Sequence, residues 1–125
     1  MRLWLIAAAG AAVLLPTAAS AKSMNAEIFH HRATALQKKG AAAVFSMGEI
    51  KKLAAEGRAA VQRARASRLA AIAARQAPRY CPPEGPQAMP SSEFMARLAA
   101  IPAAQRAQID MTEAMIRILA VKFPC

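Results

Sequence analysis

The sequence predicts an all-α fold: a small bundle of about four helices, with one long basic helix and a C-terminal disulfide. Helix-start and helix-stop residues recur along the chain. Strand signals are almost absent, with no β-branched alternation and no Asn-Gly hairpin turn. The third observation is the placing of the two cysteines, Cys81 at a proline-rich turn and Cys125 after a last helical segment.

Residues 1–21 read as a secretory signal peptide. Arg2 supplies the positive start, residues 3–15 an apolar core, Pro16 a break, and Ala19-Ser20-Ala21 a small-residue cleavage site. The run is too short and alanine-rich for a membrane span. Export across the inner membrane to a bacterial periplasm, as a soluble chain beginning at Lys22, is therefore expected. In that oxidising compartment two cysteines allow one pairing, Cys81 with Cys125. Closing that loop stabilises a fold by about 4 kcal/mol on the chain-entropy account.

The first helix is expected from about Asn25 to Lys39, capped by Asn25 or Ser23, with Glu27 in its first turn and Lys38-Lys39-Gly40 as its stop. His30 and His31 point about 100° apart on a helix and cannot grip one metal together. After a connection over residues 41–45, Ser46-Met47-Gly48-Glu49 reads as a capping box, with Phe45 and Ile50 as its hydrophobic staple. A long helix then starts at Met47 and meets no stop until Gln76-Ala77-Pro78. Ile50, Leu53, Ala54, Gly57, Val61 and Ala64 share one stripe of it, and the same wheel places Arg68 and Arg75 on that stripe. A buried unpaired arginine is costly. The helix is thus expected either to bend near Ala64 or to leave the body as a basic arm.

Residues 78–90 carry five prolines and form a loop. Ser91-Ser92-Glu93 opens a short helix with Phe94, Met95, Leu98 and Ile101 inward, ended by Pro102. A turn or short helix follows, and Asp110-Met111-Thr112-Glu113 is a second capping box, although Ile109 in front of it would also let one helix run through. The large apolar anchors are Ile28, Leu36, Phe45, Ile50, Leu53, Val61, Leu69, Ile72, Phe94, Leu98, Ile101, Ile116, Ile118, Leu119 and Phe123, with methionines filling gaps. Hydrophobic content is 56%, but alanine supplies much of it and aromatics only 5%, so the core is small.

Charge divides the chain after its leader. Residues 22–79 carry twelve Lys or Arg against three Glu, a net of +9, whereas residues 80–125 are neutral with four of each sign. Residues 22–79 thus read as a basic helical segment and 80–125 as a disulfide-closed helical segment, together one domain. The basic segment predicts an acidic protein partner or an anionic envelope surface, lipid or polymer, with Lys51, Arg58, Arg65, Arg68 and Arg75 as partner-binding residues. A solvated basic face is the other reading of the same residues. Nucleic acid is not expected for an exported chain without interleaved aromatics. No catalytic set, phosphate-cradling loop or metal-ligand cluster is present, so neither an enzyme nor a cofactor is expected.

Tyr80-Cys81-Pro82-Pro83 opening a short helical pair, Leu98, Ile101 and Pro102 in the middle, and Phe123-Pro124-Cys125 after the last helix resemble the Rap/Tai immunity proteins. The resemblance covers little more than residues 80–125. It implies a periplasmic helical protein that protects a bacterium from peptidoglycan amidase toxins delivered by type VI secretion, with Cys81 joined to Cys125. A non-enzymatic binding protein, with a homodimer left open, is the function expected from sequence and resemblance together.

Overall fold

The computed structural model describes residues 23–125, and the expected signal peptide lies outside them. Helix α1 (Ala26–Lys39) starts at Asn25, whose side chain accepts from the backbone N–H groups of Glu27 and Ile28 at 2.9 and 3.1 Å. Gly40, at φ +54°, ends it. A 3-10 segment (Gly40–Ser46) turns the chain into α2 (Met47–Ala73), which returns antiparallel to α1. Two pairings fix that direction. Arg32 grips both oxygens of Glu49 at 2.5 and 2.6 Å, and the Met24 N–H donates to the Glu56 carboxylate at 2.6 Å.

Helix α2 begins at Met47 as its sequence predicts, but neither starting device forms. Ser46 makes no capping bond and accepts from Lys39 Nζ at 2.9 Å, while Glu49 is taken by Arg32. A bidentate pair with a guanidinium gives Glu49 two charge-assisted bonds where the capping box would give it one to a backbone N–H. Phe45 is 91% exposed, so no staple closes on Ile50.

At its other end α2 stops at Ala73, before the expected Gln76. The N–H groups of Arg75 and Gln76 bond back to Ile72 O and Ala71 O, and Arg75 takes the left-handed conformation at φ +56°. That is a Schellman ending with arginine where glycine is usual.

Helix α2 does not leave the body as the free arm that was one of the two expectations for it. The helix runs on past Ala64 and packs on α5 (Met111–Lys122). Ala60 and Ala64 are wholly buried and let the two backbones approach closely. Val61, Leu69 and Ile72, expected in the core, are about half exposed, as is Ile28 of α1. Phe29 is buried instead and meets Phe94 of α3 (Ser91–Ala100) edge-on at 5.8 Å.

The loop after α2 leads to α3, which starts on Pro90 without the expected serine cap. The turn α4 (Ala103–Arg106) and a separate α5 follow, with Asp110 accepting from the Glu113 N–H at 2.8 Å. Six of the twelve α5 residues are buried: Met111, Ala114, Met115, Ile116, Ile118 and Leu119. Both ends of α5 are tied. At the start, the Ala26 N–H bonds Ile109 O at 2.9 Å and the Met111 N–H bonds Met24 O at 2.7 Å. At the end, Cys125 is joined to Cys81, and the Cys81 N–H bonds Phe123 O at 2.9 Å.

Arg106 is the one charged residue buried among those described, at 6% exposure. Its Nη1 donates to the carbonyls of Leu98, Ala99 and Ile101 at the end of α3, of which Leu98 O also accepts the Ile101 N–H, and its Nε donates to Glu27 at 2.6 Å. One side chain thus closes α3 and holds α1 against it.

Two stability predictions follow from these ties. Cys81→Ser with Cys125→Ser should lower unfolding stability by about 4 kcal/mol, read as the urea midpoint of wild type against variant. Arg106→Met should lower it by about 3 kcal/mol in the same measurement, because buried carbonyls lose their donors and Glu27 its partner.

Candidate binding groove

The carboxylates of the fold are largely spent inside it. Glu27 pairs with Arg106, Glu49 with Arg32, Glu93 with Lys122 and Arg97, and Glu113 with Arg79 and Arg117. In each case the hydrogen-bonded cation holds the glutamate carboxyl below its ordinary range: Arg106 for Glu27, Arg32 for Glu49, Lys122 for Glu93 and Arg79 for Glu113. Asp110 is used as a helix cap. With the acids committed, most of the excess positive charge is left on the outer faces of α1 and α2.

Helix α2 shows two long faces. Leu53, Ala60 and Ala64 point into the core. Beside them lies a second stripe at heptad spacing, Lys51, Arg58 and Arg65, with Ala54, Val61 and Arg68 between. Across from this stripe stands the proline-rich loop, fixed at one end by the disulfide and at the other by Lys122 Nζ, which donates to Ala88 O at 3.2 Å and to Glu93 at 2.6 Å. Between helix and loop runs a groove of about 1000 Å³.

The floor of the groove is apolar and its helical wall is cationic. Val61, Tyr80, Met89, Phe94, Met115, Leu119 and Phe123 line the floor, Arg58, Arg65 and Arg68 the α2 wall, and Pro82, Pro83 and Pro86 the other side. Glu84 is the only carboxylate lining it. Arg68 lies with its guanidinium 5.6 Å from the centre of the Tyr80 ring. This stacking answers the objection to an arginine on the packed stripe: the aliphatic stem is half-buried and the charge sits on an aromatic face instead of in a dry core. Its Nε is nevertheless screened from solvent and donates to no acceptor among the described residues.

Of the five residues expected to bind a partner, the structure brings together Arg58, Arg65 and Arg68. Lys51 continues their stripe beyond the groove, and Arg75 is the left-handed residue ending α2. Sequence reasoning missed Tyr80, Lys122 and the loop wall, which meet α2 only through the tertiary fold. The heptad spacing of Lys51, Arg58 and Arg65 was the available signal for a common cationic face. Arg79, from the same basic segment, is structural and clamps Glu113 at 2.6 and 2.8 Å.

His31 is exposed and His30 half-buried, and no group of three His, Cys, Asp or Glu among the described residues could hold a metal ion. Burial, and next the charge of Arg106, lower the His30 pKa below its ordinary value. Comparison with family models, with curated proteins and with solved structures gives no match.

The lowered groups all act in one direction with pH. Each contributes stability that is present above its unfolded pKa and lost as pH falls towards its folded one, because the unfolded chain takes up protons first. Urea midpoints should therefore fall in two stages on acidification, the first through the ordinary histidine range and the second through the ordinary glutamate range. His30→Gln should remove the first stage and keep the second.

Proposed function

We propose that this chain is an exported, non-enzymatic binding protein whose groove takes an extended acidic segment of a partner protein. The partner we favour, on the Rap/Tai resemblance, is a peptidoglycan amidase effector that the chain neutralises. One observation carries the reading: three unneutralised arginines at one-turn and two-turn intervals wall an apolar floor. A segment alternating carboxylates with aromatic or aliphatic side chains would meet a cation along its edge and bury its apolar residues against Val61, Phe94 and Leu119. The loop wall favours such a use. Its prolines hold the backbone extended without ordering cost on binding, and the disulfide keeps it at a fixed distance from α2.

The chemistry of the groove also suits binding better than turnover. Its titratable groups are arginines, one lysine, Tyr80 and Glu84, and none of these forms a nucleophile with an adjacent base.

The test is inhibition of purified peptidoglycan amidases encoded beside the gene, assayed on peptidoglycan with the disulfide intact. Wild-type protein should suppress activity at stoichiometric concentration, and R58E/R65E should need at least about tenfold more, since two reversed charge contacts cost over 1.4 kcal/mol. Unchanged amidase activity with both proteins removes the immunity reading. Association that disappears between low and moderate salt would assign the arginines to a nonspecific anionic surface.

A further inference from the structure

The 3-10 turn joining α1 to α2 carries an apolar tip that the rest of the fold leaves uncovered. Phe45 is 91% exposed, Val44 59% and Met47 46%, and Ala41 and Ala42 beside them are also exposed. Large apolar side chains grouped at one projecting end mark a contact surface rather than scattered surface hydrophobics.

Four lysines surround this tip. Lys38 and Lys39 close α1, Lys51 and Lys52 lie in the first two turns of α2, and the antiparallel pairing of the helices brings all four to the same end. From Ile28 to Gly48 the sequence holds no carboxylate. The first beyond it, Glu49, is neutralised by Arg32 at 2.5 Å, and the next, Glu56, is held by the Met24 N–H. The tip is thus apolar at its summit and net cationic at its shoulders, where the one carboxylate, Glu49, is already paired with Arg32.

We propose that this hairpin tip dips into the surface of an anionic lipid bilayer, with Phe45, Val44 and Met47 among the upper acyl chains and the lysines at the headgroup phosphates. Charge complementarity selects this occupant. A second copy of the chain would bring the same four lysines into like-charge contact, and an apolar protein site would leave them unpaired. A bilayer satisfies both layers at once, and the four lysines stand where snorkelling cations belong. Each lysine near such a surface strengthens binding by about fivefold at low salt. The contact is a dip and not a span, since no helix among the described residues is long and apolar enough to cross a membrane. This surface is separate from the groove and does not depend on what the groove binds.

The test uses the full chain with Trp4→Phe and Phe45→Trp, which places the single tryptophan at the tip whether or not residues 1–21 are retained. Residue 45 is so exposed that the change should leave circular dichroism and the disulfide unaltered. With phosphatidylglycerol vesicles the emission should shift to the blue and be quenched by brominated acyl chains. With phosphatidylcholine vesicles it should stay water-like. Changing Lys38, Lys39, Lys51 and Lys52 to Gln should move the lipid titration midpoint at least about tenfold higher. Emission that remains water-like on phosphatidylglycerol vesicles overturns the proposal, even if another part of the chain brings the protein to them. An equal shift on phosphatidylcholine, or a blue shift in buffer accompanied by a dimer mass, overturns it too.

Discussion

Helix α5 is held at both of its ends, and the rest of the structure is arranged by that constraint. Its start is bonded to the beginning of α1 and the residue pair before it through Met24, Ala26, Ile109 and Met111, and its finish is locked to Cys81. Burying half of its residues yields nearly half of the core, six of the thirteen buried apolar residues among those described. Large side chains are too few for a loose bundle to hold itself, so fixing both ends replaces packing area with reduced freedom of the chain. Helix α2 can then lie close on α5 through Ala60 and Ala64, a contact that gains little from burial but needs no side-chain ordering.

Charge is distributed with the same economy. Glutamates on α1, α2, α3 and α5 each take up an arginine or lysine from another part of the chain or from their own helix, and Arg106 serves two helices at once. What remains outside is almost entirely positive. Two outward surfaces follow from it, a cationic wall over an apolar groove and a lysine collar around an apolar tip. They differ in shape, which is why we assign them different occupants. The groove is walled on both sides and suits a narrow segment, whereas the tip is convex and suits a broad soft surface.

Cys81 and Cys125 are bonded in the structure, which agrees with the pairing expected from an oxidising compartment. The disulfide is compatible with export, and it has a further role in the groove. Without it the proline-rich segment would keep only the Cys81 N–H bond to Phe123 O at that end, and the wall facing Arg58, Arg65 and Arg68 would be held less firmly. Arg68 shows how a fold accommodates a residue that a helical wheel places wrongly. Tyr80, next to the disulfide, presents its ring to the guanidinium, so the crosslink also positions the group that makes Arg68 tolerable.

The sequence by itself determined the helical class, the stop at Gly40 and the position of the start at Met47, and it offered Asn25 or Ser23 as the first cap and Asp110 as a later one, because such signals depend on a few neighbouring residues; only the fold chose Asn25 over Ser23 and ended one helix before Asp110. The sequence also determined the excess of positive charge on residues 22–79. Tertiary structure decided which glutamates neutralise which cations, and so withdrew Glu49 from the cap its spacing offered it. It decided that Phe29 is buried while Ile28 and Phe45 face outward, since which side of a short amphipathic helix turns inward depends on the partner it meets. Burial of Arg106 left no mark in the sequence, because its acceptors are carbonyls that become available only when α3 ends beside it. The groove was equally hidden: its two walls are distant in sequence, and only the packing of α2 on α5 together with the Cys81–Cys125 bond brings them face to face.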